Sequence, residues 1–177
     1  MAYKTLLGGQ MFTFDSVKEV MAKANEEKSG DILAGVAASS DLERIAAKEV
    51  LSNMLLKDLR ENPAVPYEED DVTRLNQDSI NEVFYNKIKN WTVGDLREWI
   101  LSYSTTERQL RDMSHALTSE MVAGVAKLMT NLDLIYGAQK IQVPARCNTT
   151  IGLRGTMATR LQPNHTTDNV EGITASL

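Results

Sequence analysis

The sequence predicts a mainly α-helical region that opens on a small β-hairpin and is followed by the first strand and the start of the first helix of an α/β architecture. Three observations carry this. Two short β-prone runs, Tyr3–Leu7 and Gln10–Phe14, flank Gly8-Gly9. Apolar residues then recur at helical spacing behind N-cap signatures. After Gly137 that periodicity fades, and Thr156–Gln162 reads as a strand ended by the turn residues Pro163-Asn164. Residues 1–147 are therefore expected to form a helical domain with its hairpin at 3–14. Residues 148–177 are expected to begin a second domain, with a strand at 156–162 and a helix from about 167.

Paired glycines between β-prone runs signal a hairpin, because primed turns need positive φ. Ser16-x-x-Glu19 is a capping box that opens a helix over Val17, Val20 and Met21, ending near Ser29-Gly30. Ser40-x-x-Glu43 opens a second helix, with Leu42, Ile45, Ala46, Val50 and Met54 on one side. Asn62-Pro63 and Val65-Pro66 break the chain. The carboxylates Glu68–Asp71 lack EF-hand spacing and suit the positive end of the next helix. That helix should carry Val72, Leu75, Ile80, Val83, Phe84 and Ile88 along one stripe. Thr92 caps a shorter one with Val93, Leu96 and Ile100 inward, and Ser104-x-x-Glu107 opens another. A helix from Thr118 has the stripe Met121, Val122, Val125, Leu128, Met129 and Leu132. Val170, Ile173 and Leu177 form a last stripe that stops without a helix C-terminal signal. The expectation is a truncated sequence whose last 20 or so residues begin a domain it does not contain. The rival reading is a complete helical protein with a frayed tail.

Composition narrows the function classes. With 177 residues, 42% hydrophobic and 24% charged, the chain has the make-up of a folded protein and not of a disordered one. A net charge of −5 argues against nonspecific nucleic-acid or membrane binding. No stretch is long and apolar enough for a transmembrane helix, and the first residues lack a signal-peptide core. The single cysteine, Cys147, fits a reducing compartment, so a cytoplasmic location is expected. Leu134–Asn164 contains no acidic residue yet carries Lys140, Arg146, Arg154 and Arg160. Such a segment either faces an anionic partner or is a fluctuation of scattered cations.

Few residues point to chemistry. Cys147 with His115 or His165 has no supporting nucleophile motif, and two histidines with one cysteine make no zinc set, so no metal site is expected. Gly152-x-x-Gly155 is too short for a phosphate loop. The exception is Arg160-Leu161-Gln162-Pro163-Asn164. In a strand, residues two apart share a face, so Arg160 and Gln162 point together. Both are multidentate, and both lie at the C-terminal end of their strand, which in a β/α barrel is the rim where active sites are built. The alternative is a polar strand face meeting solvent.

Five separated blocks carry a resemblance: Asp31-Ile-Leu-Ala-Gly-Val-Ala-Ala, Asn86-Lys-Ile-Lys-Asn-Trp91, Asp133-Leu-Ile-Tyr-Gly137, Asn148-Thr-Thr-Ile-Gly152 and Arg160-Leu-Gln-Pro-Asn164. In this order they resemble the N-terminal portion of the ethanolamine ammonia-lyase large subunit. The resemblance implies a helical N-terminal region followed by the start of a (β/α)8 TIM barrel, which 177 residues are too few to contain. It implies an oligomeric enzyme in which adenosylcobalamin, held between large and small subunits, supports radical conversion of ethanolamine to acetaldehyde and ammonia. It also implies that Arg160 hydrogen-bonds the substrate hydroxyl and Gln162 its amino group. Cobalamin contacts in this segment stay unassigned. The family's setting adds a bacterial microcompartment for ethanolamine utilisation. On this reading the segment alone is inert. The competing reading from the residues is a non-catalytic helical interaction or assembly module.

Overall fold

The computed structural model describes residues 2–27, 29–144 and 149–155. The chain divides into two compact units, Met1–Ile141 and Gln142–Leu177, taken here one at a time.

The first unit opens with β1 (Tyr3–Leu7) and β2 (Gln10–Phe14), paired antiparallel from Tyr3↔Phe14 to Leu7↔Gln10. Gly8 and Gly9 turn between them at φ 58 and 79, which few L side chains adopt. The predicted hairpin is therefore present. Alternation drives Phe12 and Phe14 into the core and leaves Met11 and Thr13 outside.

Helix α1 (Val17–Lys23) starts where Ser16 Oγ accepts the Glu19 N–H. It ends six residues short of the expected Ser29-Gly30, because the chain turns at Ala24 and Asn25, whose N–H groups bond back onto Val20 and Ala22. A separate short helix follows, α2 (Ser29–Leu33). The Ser40 cap opens α3 (Asp41–Asn53) as expected. Its buried arc is Ala46, Ala47, Val50 and Leu51; Leu42, one turn ahead of Ala46, and Ile45 are exposed instead of inward. Helix α4 (Leu56–Glu61) has no counterpart in the sequence reading, since its N-cap, Leu55, supplies no side-chain acceptor.

The single helix expected across residues 72–88 is two. Asp70 caps α5 (Asp71–Asp78) by accepting from the Thr73 N–H and hydroxyl, so the acidic run does sit at a helix start. Asn81 then interrupts the stripe by accepting from Val83 and Phe84 N–H to start α6 (Glu82–Ile88). With the register broken, Val72, Leu75 and Val83 are exposed and Tyr85 and Ile88 are buried.

Thr92 and Asp95 form a full capping box for α7 (Val93–Leu101), with Val93 and Leu96 buried. The next helix, α8 (Glu107–Ser114), begins two residues later than Ser104 predicts, because Thr106 and Gln109 make the reciprocal box. Thr118 caps α9 (Ser119–Leu128), which buries Met121 and Val125. Val122 is half exposed, and Leu132 belongs to a further helix. Met129 turns extended there, and the Thr130/Asp133 box starts α10 (Asn131–Ala138).

Helix α3 lies at the centre and packs on α1, α7, α9 and the hairpin. The core is built from Phe14, Val20, Leu51, Leu56, Leu59, Ile88, Val93, Leu96 and Met121, each at most 1% exposed. The described part of the second unit is one small antiparallel pair, β3 (Val143–Pro144) with β4 (Thr150–Ile151). The predicted strand at 156–162 and the helix from about 167 lie outside the described residues.

Candidate functional site

Arg160 and Gln162, the two residues singled out for substrate, also lie outside the described residues, as do Cys147 and His165. His115 is the C-cap of α8, and its carbonyl accepts the Asn81 N–H at 2.7 Å, so its backbone joins α8 to α6. Among the described residues no group of three or more His, Cys, Asp or Glu side chains is placed to hold a metal ion.

Two of the four cations in the acid-free segment are described. Lys140 is spent inside the first unit: its Nζ donates to the carbonyls of Ile100 at 3.0 Å and Ser102 at 2.6 Å, closing the C-terminal end of α7. It also lies 4.3 Å from the Tyr136 ring centroid. Arg154 is exposed.

The polar structure that the sequence did not reveal joins α7 to α10. Arg97 donates to Asp133 Oδ2 at 2.6 Å, across 36 residues of chain. The same carboxylate accepts the Thr130 N–H at 3.0 Å. The Thr130 N–H, and after it the Arg97 guanidinium, hold the Asp133 carboxyl below its ordinary 3.8. The capping signature Thr130-x-x-Asp133 was available as a signal; its long-range partner was not. A second such junction is Arg60, whose guanidinium pairs with Glu82, bonds Gln77 Oε1 and lies 4.2 Å over the Tyr85 ring.

A shallow depression of about 220 Å³ lies beside the hairpin, between Tyr3, Lys4, Thr5, Glu49, Asn53 and Asp58. Burial, and then the Asp58 carboxylate, push the Tyr3 phenol above its ordinary 10.0, which keeps it a neutral donor. No helix among the described residues is long and apolar enough to cross a membrane.

The described residues thus form a capped, cross-braced helical scaffold. Comparison with known proteins supplies the class. The family model described as ethanolamine ammonia lyase large subunit matches residues 12–177. The ethanolamine ammonia-lyase large subunits of Escherichia coli (strain K12) and Salmonella typhimurium are each 54% identical to the chain over all 177 residues. These are subunits of a carbon–nitrogen lyase. The chain belongs to the ethanolamine ammonia-lyase large subunit family. It spans 39% of the length of these relatives.

Proposed function

We propose that the chain serves as the N-terminal part of the large subunit of an ethanolamine ammonia-lyase, an enzyme that converts ethanolamine to acetaldehyde and ammonia. The observation that carries this reading is the 54% identity sustained over the whole chain. In this reading residues 156–162 are the first strand of a (β/α)8 barrel, and Arg160 and Gln162 bind the substrate hydroxyl and amino group from its rim. A planar guanidinium and a carboxamide suit the two ends of a small amino alcohol. The partners are the small subunit and further large subunits. The setting is the cytoplasm, within an ethanolamine-utilisation microcompartment.

Adenosylcobalamin would supply the radical chemistry. The depression of about 220 Å³ beside the hairpin falls below even the roughly 300–1,000 Å³ of ordinary ligand pockets and is too small to take a corrin. On this reading most of its contacts lie in the small subunit and in parts of the large subunit beyond this segment, and the 177-residue chain alone is inert.

The test is adenosylcobalamin-dependent acetaldehyde release by a large subunit carrying these residues, produced together with its small subunit. Arg160→Ala and Gln162→Ala should each remove most turnover. Arg160→Lys should also lose much of it, because an ammonium cannot reproduce the planar fork. Undiminished turnover in the alanine variants would take both residues out of the pocket. The second reading, a helical assembly module, is favoured by one observation, the apolar exposed side of α10.

A further inference from the structure

Helix α10 is attached to the first unit almost without apolar packing. Its one buried residue is Gly137, and no side chain of Asn131–Ala138 belongs to the hydrophobic core or packs against it. What holds the helix on α7 is polar. Arg97 donates to Asp133 at 2.6 Å near its start, and Lys140, just past its end, donates to the carbonyls of Ile100 and Ser102. Between these ties lie the approach of Gly137 to Ile100 and the edge-on pair of Tyr136 with the exposed Tyr103. Eight residues do not stay helical in water by themselves, so α10 persists only while the ties hold. One tie is also imperfect. Among the described residues Arg97 Nε is buried and finds no hydrogen-bond partner, a cost that water removes once the guanidinium comes free.

We propose that α10 is a polar latch, a helix that releases from α7 and unravels as one unit while α1, α3, α7 and α9 stay folded. Regions with few buried apolar contacts open at free energies well below that of global unfolding. Opening here uncovers little apolar area that is not already in water, since Leu132 and Ile135 are 78% and 57% exposed with the helix in place. The hydrophobic term that locks α3, where Ala46, Ala47, Val50 and Leu51 are buried, is therefore missing from α10. Arg97 and Asp133 regain full hydration on release, which offsets much of the attraction lost between two part-exposed charges. The covalent link to the second unit, which begins at Gln142, then starts either from a fixed helix or from a loose one.

Native-state hydrogen exchange of the 177-residue chain, in urea below its unfolding midpoint, reads this opening amide by amide and makes no reference to catalysis. The amides of Leu134 and Gln139, bonded to the Thr130 and Ile135 carbonyls, should exchange through one shared opening. Their protection should be at least about a hundredfold below that of Val50 and Leu51 in α3, with little dependence on urea. Arg97→Ala removes a charge-assisted bond from the latch alone, and should speed α10 exchange about tenfold while leaving α3 unchanged. Gly137→Ala should act oppositely. Its Cβ would meet Ile100 at 3.5 Å, an ordinary contact, and the better helix former should slow α10 exchange about two- to fivefold. Amides of α10 that exchange only with global unfolding, at the protection and urea dependence of α3, overturn the proposal. An Arg97→Ala protein in which α3 and α10 shift alike overturns it too.

Discussion

Two helical glycines in the core should respond oppositely to the same substitution. Gly94 lies in the first turn of α7, where that helix crosses α3, and Gly124 lies in the middle of α9. A Cβ at Gly94 would stand 2.7 Å from Ser52 Oγ and 3.0 Å from the Ser52 carbonyl oxygen. The hydroxyl can rotate away; the carbonyl belongs to the last turn of α3 and moves only with the helix. Such overpacking costs about 1–3 kcal/mol, against a gain of up to about 1 kcal/mol from replacing glycine in a helix. Gly94→Ala should therefore lose about 1–2 kcal/mol, a fall in Tm of roughly 2–8 °C for a chain of this size. A Cβ at Gly124 meets Leu59 Cδ1 at 3.5 Å, Leu51 Cδ1 at 3.6 Å and Met21 Sδ at 3.7 Å, all ordinary contacts. Gly124→Ala should gain about 0.5–1 kcal/mol, since only the helix-propensity term remains. Urea unfolding followed at 222 nm, with the slope checked for constancy, reads both changes (the wavelength and the slope report helix loss and exposed surface, about 1–3 kcal/mol/M in urea). A Gly94→Ala protein as stable as the parent would refute the close crossing of α3 and α7, and a destabilised Gly124→Ala protein would refute the room found for a methyl group between α9 and Leu51, Leu59 and Met21.

The caps supply two further predictions. Thr92→Ala removes the acceptor for the Asp95 N–H and should cost about 1 kcal/mol in urea unfolding; no change would mean that the box does not hold α7 in solution. Asp70, Asp95 and Asp133 are held below their ordinary 3.8, first of all by the backbone N–H groups of Thr73, Thr92 and Thr130. A carboxyl with a lower pKa when folded binds fewer protons than when unfolded, so its stabilising share is complete above 3.8 and disappears as pH falls through the folded value. The urea midpoint should thus decline below about pH 4, and a midpoint that stays level or rises there would contradict the capping geometry.

Local signals in the sequence located helix starts well and helix lengths poorly. Ser16, Ser40, Thr92 and Thr118 each cap the helix expected of them, because a cap is decided within four residues. The stripe from Val72 to Ile88 misled, because apolar spacing continues across Asn81 while the backbone does not; a mid-stripe asparagine with free N–H groups two and three residues on was the missed sign. Leu132 was joined to α9 for the same reason, although Thr130-x-x-Asp133 stood inside that stripe. Helix α4 was invisible because it is held by Leu56 and Leu59 in the core and by the Leu56 N–H on the Trp91 carbonyl, contacts set by chain segments far away. Of the candidate site, Arg160 and Gln162 stand out by residue type and take their proposed roles from the family resemblance, and they lie outside the described residues, whereas Arg97–Asp133 depends on the fold bringing α7 and α10 together.

The short helices explain why Asp133 and Lys140, at the two ends of α10, turn toward α7. Among the described residues the longest, α3, has 13 residues, and helices of this length are marginal in water by themselves. Each needs its ends satisfied and one side packed, and α10 meets α7 only over a small contact, with Gly137 against Ile100. Asp133 meets both needs at once, capping its own helix and accepting from Arg97, and Lys140 closes the α7 carbonyls from the far end. The arrangement leaves α10 fixed in place by polar groups while its leucine and isoleucine side chains remain outside the core. A helix that needed those side chains to pack against its own unit would have buried them. Their exposure on a helix anchored by other means is what a surface shaped for a further contact requires.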